Sequence, residues 1–333
     1  MLGVILLQLG TPDAPKPAAL RRYLRQFLSD PRVIDLPRFV WLPILYGIVL
    51  RTRPKQSAAL YEKVWTPEGS LLLVTTSKQA QALEAALTAA HGTPVKVVVG
   101  MRYGQPSIAD AISQLMSTGV DRILAFPMYP QYAGATTGSS LQQLFEDLDD
   151  LRIVPSVRVV PPYFADPDYI RALAAVTRES LAQLPQPPTH VLTSYHGLPK
   201  RYADEGDPYP AHCVETTKAL EAALGMTAGA LTVVFQSRFG REEWLQPYTD
   251  ITLESLGQSG ARVAVLCPGF TADCLETLEE IALRGEEQFH STGGRDYLAV
   301  PCLNDHPAWL EAMAAIARRE LAGWMSTPEN RAG

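Results

Sequence analysis

The sequence predicts an α/β protein whose two lobes are each built on a parallel sheet. Three observations support this fold class: buried strands alternate with amphipathic helices, Gly and Pro landmarks recur in both halves, and 333 residues are long for one compact core. Short apolar runs predict strands at 3–9, 95–100, 122–126, 191–195, 231–236 and 262–267. Amphipathic patterns predict helices at 77–90, 107–117, 167–183 and 245–256.

An internal repeat supports the two lobes. Leu9-Gly10-Thr11-Pro12 follows a strand in the first half, and His196-Gly197-Leu198-Pro199 follows a strand in the second half. The first half holds an extra segment at about residues 20–70, and the proline-rich stretch 154–162 marks the boundary. We therefore expect a first lobe at 1–155, a second lobe at 156–325 and a frayed tail at 326–333.

The composition and net charge of the chain indicate what kind of partner and which cellular compartment to expect. The net charge of −6 gives no electrostatic reason to expect a nucleic-acid partner, so a small-molecule partner is expected. The four cysteines follow no C-x-x-C pattern and are interpreted as free thiols in a reducing compartment. No continuous apolar run approaches the roughly 18 residues of a membrane-spanning helix. The sequence predicts a cytoplasmic protein without a signal peptide.

The extra segment contains an uncharged run from Phe39 to Leu50, with Arg38 and Arg51 on either side. The run is too short to span a bilayer. It could form an apolar lip on a cleft or a surface that touches a membrane, which makes peripheral membrane contact one interpretation. An ordinary buried helix is the other, and the sequence leaves both open.

His196 is the strongest histidine candidate. It comes just after a predicted buried strand, in a turn that contains Gly197 and Pro199, and the working side chains of α/β sheets lie at such strand ends. A neutral imidazole there could act as a base or bind a metal, although a structural histidine is an equally good interpretation of this position alone.

A row of acidic residues follows the last predicted strand. Asp273, Glu276 and Glu280 are spaced i, i+3 and i+7, which predicts one α-helical face. Oxygen ligands suit divalent cations, so the row could pass a metal inward. Acidic residues in a first helical turn also complement the helix dipole and need no ligand.

Other chemistries lack their motifs. No dinucleotide or phosphate-binding glycine motif occurs, no G-x-S-x-G elbow is present, and the cysteines are not spaced as a zinc site. The aromatic and hydroxyl side chains between Pro127 and Ser140 could line an apolar cleft. The remaining constellation, one histidine and a carboxylate row, favours a metal delivered to a flat ligand between the lobes.

Motifs along nearly the whole chain, taken together, resemble the ferrochelatase family. They are Leu6-Leu-Gln-Leu-Gly-Thr-Pro12, Phe27-Leu-Ser-Asp-Pro-Arg32, Met101-Arg-Tyr-Gly104, Tyr129-Pro-Gln-Tyr132 with Thr136-Thr-Gly-Ser-Ser140, His196-Gly-Leu-Pro199, Gly206-Asp-Pro-Tyr209, Phe235-Gln-Ser-Arg-Phe-Gly240, Trp244, and Cys267 to Glu280. The resemblance implies two Rossmann-like lobes with a porphyrin cleft between them and the Phe39–Leu50 segment as the lip. It also implies insertion of ferrous iron into a porphyrin in haem biosynthesis.

The resemblance assigns roles to residues of this chain. His196 matches the active-site histidine and Glu276 its paired carboxylate, with Asp273 and Glu280 as further acidic positions for a proton or metal relay. Five residues match porphyrin-pocket positions: Leu9, Arg102, Tyr129, Trp244 and Phe270. His196 would remove pyrrole protons as general base, or would be the first iron ligand, and the sequence leaves that order open.

Several finer expectations complete the interpretation. Iron is a substrate, no permanently bound cofactor is expected, and no [2Fe–2S] cluster is expected because no cysteine follows Cys302 and Gly134 stands at a ligand position of cluster-bearing members. Cys274 is interpreted as a buried thiol rather than a soft iron contact. We expect a monomer that prefers protoporphyrin IX. Coproporphyrin III, a cobalt chelatase of precorrin rings and a non-catalytic tetrapyrrole carrier are the alternatives.

Overall fold

The computed structural model describes residues 1–325, which form two compact units. The first unit contains Met1–Met128, Gly134–Pro161 and the described chain from Met313 onward. The second contains Tyr129–Ala133 and Pro162–Ala312. The predicted tail at 326–333 lies outside the described residues.

Each unit is built on a four-stranded parallel sheet. The first sheet has the order β2-β1-β3-β4, with β1 (Leu2–Thr11), β2 (Val95–Gly104), β3 (Arg122–Pro127) and β4 (Ser156–Val159). The second has the order β6-β5-β7-β8, with β5 (His190–His196), β6 (Leu231–Gln236), β7 (Arg262–Leu266) and β8 (Asp296–Ala299). The two orders are equivalent, so the predicted repeat extends to topology and the α/β prediction is confirmed.

Helices connect the strands. They are α1 (Pro17–Ser29), α2 (Arg38–Ile44), α3 (Leu50–Val64), α4 (Leu71–His91), α5 (Ile108–Ser117), α6 (Ser139–Asp149), α7 (Pro167–Leu181), α8 (Lys200–Asp204), α9 (Tyr209–Leu224), α10 (Thr249–Gln258), α11 (Glu286–Ser291) and α12 (Pro307–Glu320), with π-helices at Leu45–Val49, Gly134–Gly138 and Glu276–Gly285. The helix predicted from residue 245 begins only at Thr249, because Pro247 favours extended backbone at the residue before it.

Strand β1 owes its central position to a largely apolar sequence. β1 is buried along nearly its whole length, as strands of a parallel sheet covered on both faces are. It ends at a close approach to β2, where a Cβ on Gly10 would lie 1.7 Å from the Tyr103 carbonyl oxygen. Gly10 also has a φ of 113°, so glycine is required there on both counts.

The extra segment of the first half folds as α1, α2, a π-helix and α3. Its buried side chains form an apolar cluster with Tyr103 that includes Leu20, Leu28, Leu45 and Leu50. Other apolar side chains of the segment are exposed: Leu36, Phe39, Val40, Ile44, Tyr46 and Ile48. The segment is therefore not an ordinary buried helix, which favours the exposed-surface interpretation of the sequence.

The edge of the first sheet is covered by the end of the described chain. Arg158 of β4 donates to the carbonyl oxygens of Glu320 and Ala322 at 2.7 and 2.8 Å. Its guanidinium also lies 4.2 Å from the centre of the Trp324 ring. These contacts attach the end of α12 and the residues after it to β4. No helix within residues 1–325 is long and apolar enough to cross a bilayer.

Candidate active site

His196 is the last residue of β5, at the carboxyl edge of the second sheet. Its Nδ1 lies 2.7 Å from the carbonyl oxygen of Gly197. Because a carbonyl oxygen only accepts, Nδ1 carries the proton and the neutral ring has its lone pair on Nε2. An imidazole oriented in this way can accept a proton or a metal at Nε2.

Trp244 packs beside this histidine. The two ring centres are 6.4 Å apart, and the Trp244 side chain is only 5% exposed. A Cβ on Gly197 would lie 2.9 Å from both Cε3 of Trp244 and the carbonyl oxygen of Gln236. The missing side chain at Gly197 therefore lets the indole approach the His196 turn.

The acidic residues belong to a π-helix, Glu276–Gly285, and to the loop before it. Asp273 lies in that loop, and a π-helix has a wider turn than an α-helix. The predicted single α-helical face through Asp273, Glu276 and Glu280 is therefore wrong.

Two consecutive residues at the end of β6, Gln236 and Ser237, hold the acidic π-helix. The side-chain amide of Gln236 donates to the carbonyl oxygen of Glu276 at 2.9 Å. Ser237 donates to Glu280, with its N–H 2.8 Å from Oε1 and its hydroxyl 2.5 Å from Oε2. Glu276 and Glu280 are both half-buried, so their carboxylates remain in partial contact with solvent.

Asp273 is more enclosed and has several hydrogen-bond donors. Its carboxylate accepts from the Thr277 hydroxyl at 2.8 Å, from the Asn304 amide at 2.6 Å and from the Cys302 N–H at 3.4 Å. Its own N–H donates to Asn304 Oδ1 at 2.8 Å. Asp273 therefore anchors the loop that leads into the π-helix.

Cys274 lies between these acidic residues and is buried. Burial raises the pKa of its thiol, and the charge of Glu276 and a hydrogen bond to it raise that pKa further. A thiol that stays protonated is a poor metal ligand, because the thiolate is the form that binds metals. The geometry favours the structural interpretation of Cys274.

Arg102 belongs to the first unit, near the end of β2, and bonds to a buried polar cluster. Its Nη2 donates to Asp30 at 2.6 Å, its Nε to Ser139 at 2.7 Å and its Nη1 to Gln143 at 2.9 Å. Tyr103 and Ser139 also donate to the same Asp30 oxygen, at 2.8 and 2.6 Å. Three of the five N–H groups of the Arg102 guanidinium therefore donate to partners inside the first unit.

The other predicted porphyrin residues are distributed over both units. Leu9 is a half-buried residue of β1 in the first unit and packs on the apolar cluster of the extra segment. Phe270 is half-buried and packs on the core of the second unit. The buried Tyr129 lies in the short segment Tyr129–Ala133, which also belongs to the second unit.

A cavity of about 500 Å³ lies in the first unit, at the ends of β1 and β2 and along α4. Thr11, Trp65, Ser70 and Lys78 are among its lining residues, and none of the predicted site residues is. Within residues 1–325, no three His, Cys, Asp or Glu side chains come together as a ready-made metal cage.

Comparison with known proteins identifies the family. A sequence model of the ferrochelatase family matches residues 1–321. This chain belongs to the ferrochelatase family. The ferrochelatase of Mesorhizobium japonicum is 49% identical over 325 residues, which are 97% of this chain and 92% of that protein. The ferrochelatase of Rhizobium meliloti is 50% identical over 97% of this chain and 96% of its own length.

Solved structures of other chelatases share the fold. SirB from Bacillus subtilis with Fe3+ has a TM-score of 0.56 at 15% identity, over 77% of this chain and 93% of that one. CbiX, described as the terminal enzyme of siroheme biosynthesis in denitrifying bacteria, has a TM-score of 0.52 at 15% identity, over 96% and 99%. The fold is thus the Rossmann-like chelatase fold, and the family membership makes the chain a metal chelatase, a lyase of haem biosynthesis.

Sequence reasoning missed three residues whose hydrogen bonds hold candidate site residues in place. Gln236, Ser237 and Asp30 lie in motifs that carried the resemblance, but no role was assigned to them. A polar residue at the end of an otherwise apolar strand, such as Gln236, was the available signal. The partners of these residues are distant in sequence, so the pattern alone could not reveal them.

Proposed function

We propose that this enzyme inserts Fe2+ into protoporphyrin IX, with His196 and Glu276 as its catalytic pair. The observation that carries the proposal is the Nδ1 contact of His196, which leaves the Nε2 lone pair available at the strand end. In the reaction, two pyrrole N–H bonds break, four nitrogen–iron bonds form, and two protons leave. His196 accepts a pyrrole proton at Nε2.

The acidic residues receive the metal or carry protons away. Glu276 is the metal and proton partner because it starts the π-helix and is half-buried. Glu280 continues the relay, with Ser237 fixing its carboxylate. A relay through Asp273 stays a prediction, since its carboxylate already accepts from Thr277 and Asn304. The porphyrin supplies four nitrogen ligands, so the protein needs to contribute few of its own.

Binding of the macrocycle is assigned to Leu9, Arg102, Tyr129, Trp244 and Phe270. A pocket that bends the porphyrin exposes its nitrogen lone pairs, and binding energy offsets the distortion. Trp244 supports this role through its position beside His196. We favour protoporphyrin IX over coproporphyrin III because the exposed apolar face of the extra segment suits a membrane-soluble substrate.

We also propose that the enzyme works as a cytoplasmic monomer that contacts the membrane peripherally. Phe39 is 83% exposed and Ile48 is 60% exposed, and both lie in the lip segment from Phe39 to Leu50. Exposed Arg38 and Arg51 flank that segment and would meet anionic lipid headgroups. We expect no [2Fe–2S] cluster, which iron and acid-labile sulfide assays on purified protein would test.

The deciding experiment measures anaerobic Fe2+ insertion into protoporphyrin IX and coproporphyrin III. We expect His196→Ala and Glu276→Gln each to lower the rate by at least about 100-fold, the lower range for loss of general acid–base catalysis. The ratio of wild-type kcat/KM for the two porphyrins identifies the substrate.

Matched controls are available in the same strand and directly after the π-helix. His190 begins the strand that His196 ends, and exposed Glu287 follows the π-helix, so His190→Ala and Glu287→Gln should retain wild-type rates. Wild-type activity in both His196→Ala and Glu276→Gln would overturn the residue assignment. Tight porphyrin binding without metal insertion by the wild type would overturn the proposed reaction.

A further inference from the structure

Gln236 connects the two halves of the proposed catalytic pair through its backbone and its side chain. It ends β6 and pairs with His196 across the sheet. Its carbonyl oxygen accepts from the N–H of Gly197 at 2.8 Å. The turn that directly follows His196 is therefore held by the main chain of Gln236.

The side chain of Gln236 reaches the other member of the pair. Its Nε2 donates to the carbonyl oxygen of Glu276 at 2.9 Å, while its Oε1 accepts from the Ser194 hydroxyl at 2.7 Å. A flipped amide would place two oxygen acceptors against each other at Glu276, because a backbone carbonyl cannot donate. The orientation of the amide is therefore determined by its partners.

A buried chain of hydroxyl groups supports this amide. The Ser194 hydroxyl has one hydrogen, which it donates to Gln236, so the Thr249 hydroxyl 2.8 Å away donates to Ser194. Gln236 and Thr249 are each 3% exposed and Ser194 is 0% exposed. Fully satisfied polar networks in a protein interior rigidify what they hold, and here they hold the first residue of the π-helix.

We propose that Gln236 is a positioning residue for metal insertion, which sets Glu276 relative to His196 without touching the porphyrin. The inference rests on the proposed function of that pair. Gln236 is too buried to contact substrate. Without its amide, the Glu276 carbonyl loses a donor and the start of the π-helix shifts. Small misplacements of a catalytic group slow chemistry while leaving the binding surface intact.

The test compares Gln236→Met with the same substitution at Gln79, which is 0% exposed in α4 of the first unit. Methionine keeps the length of the side chain and removes both amide groups. We expect Gln236→Met to lower kcat for Fe2+ insertion by about 10-fold or more, with KM for porphyrin within about 2-fold. Gln79→Met should keep wild-type kcat even where both variants lose a similar amount of thermal stability.

A double-mutant cycle separates positioning from general damage. Ser194→Ala should lower kcat in the wild-type background and have no further effect on kcat in the Gln236→Met background, because the hydroxyl acts through the amide. Independent, additive effects of the two substitutions on kcat would overturn the proposal. So would wild-type kcat in folded Gln236→Met.

The same insertion assay distinguishes failure of the Gln236 positioning role from failure of the proposed function. Wild-type kcat in Gln236→Met together with collapse in His196→Ala and Glu276→Gln would reject the positioning role alone. No insertion by the wild-type enzyme, or no loss in His196→Ala and Glu276→Gln, would reject the proposed function on which it rests.

Discussion

Ser237 holds both oxygens of the Glu280 carboxylate, with its N–H 2.8 Å from Oε1 and its hydroxyl 2.5 Å from Oε2. The serine adopts a φ of 66°, in the left-handed region that L side chains rarely occupy. Strained backbone of this kind persists where its surroundings over-determine it. Here the bidentate contact to Glu280 accounts for a serine where glycine would be less strained.

Substitution of Ser237 should separate backbone strain from the hydrogen bond. We expect Ser237→Gly to change the free energy of unfolding by less than about 1 kcal/mol, because relief of the left-handed conformation offsets the lost hydroxyl contact. Ser237→Val should cost about 2 kcal/mol or more, since it loses the hydroxyl and is β-branched. Urea denaturation of both variants checks this, and equal stabilities would contradict it.

The buried ion pair of Asp30 and Arg102 predicts a large loss when one partner is removed. Their side chains are 4% and 17% exposed, and Nη2 of the arginine lies 2.6 Å from the carboxylate. We expect Arg102→Met to cost about 3 kcal/mol of unfolding free energy, because it leaves a buried carboxylate without its counter-charge. Asp30→Asn with Arg102→Met should recover part of the loss. Denaturation midpoints would show both changes. As a control, Arg22→Met breaks the exposed ion pair between Arg22 and Asp13 and should cost under about 1 kcal/mol of unfolding free energy.

Asp30 also predicts how stability depends on pH. Burial raises the pKa of its carboxyl, but hydrogen bonds from Ser139, the Arg32 N–H and Tyr103 and the charge of Arg102 bring it below the ordinary 3.8. The ionised carboxylate therefore stabilises the folded state above pH 4, and this contribution is lost as the pH falls from about 4 through the folded-state pKa. Asp30→Asn should flatten the acid limb of the stability profile. An unchanged slope below pH 4 would contradict the assignment.

Membrane contact through the lip segment predicts a difference between exposed apolar residues. Phe39→Glu with Ile48→Glu should lower the partition coefficient onto phosphatidylglycerol-containing vesicles by about 100-fold, since burying each such side chain contributes about 1.5–3 kcal/mol. Ile153 is 77% exposed but lies outside this segment, so Ile153→Glu is the matched control. Cosedimentation with vesicles measures both. Equal binding by wild type and the double variant would reject the lip as the contact surface.

The four cysteines should be unreactive in the folded enzyme. All are buried, and burial raises the pKa of each thiol: Cys213, Cys267, Cys274 and Cys302. Because the thiolate is the nucleophile, a disulfide reagent at pH 8 should label none of them quickly and four after denaturation. Cys274→Ala should keep near-wild-type insertion. Fast labelling of one thiol, or loss of insertion in Cys274→Ala, would revive the alternative of an iron contact.

The sequence predicted the central strands because each contains a short run of largely apolar, buried residues. It missed β4 and β8, whose four residues each are only partly buried or exposed and so lack an apolar run. It also placed Asp273 on a helix that begins after it, because the spacing assumed an α-helical turn. The π-helix depends on contacts from Gln236 and Ser237, about 40 residues earlier in the chain, and no local pattern contains them.

The candidate site residues differ in the same way: local sequence identifies some of them, whereas their contacts join segments that are distant in sequence. His196 could be singled out because a strand end, a glycine and a proline lie within four residues of sequence. Arg102 could be named, but its bonds to Asp30 and Ser139 join three separate segments. The return of the chain from Met313 to the first unit has no signature in the repeat. Such features arise only when the whole chain has folded.

The contacts of Arg158 have a consequence for how the enzyme is made. Strand β4 ends at Val159, but Glu320, Ala322 and Trp324, which contact that arginine, are synthesised at least 162 residues after it. The β4 edge of the first sheet therefore stays uncovered while the ribosome translates the second unit. A ribosome that stops early therefore releases a first half with an open edge, a natural target for chaperones and proteases.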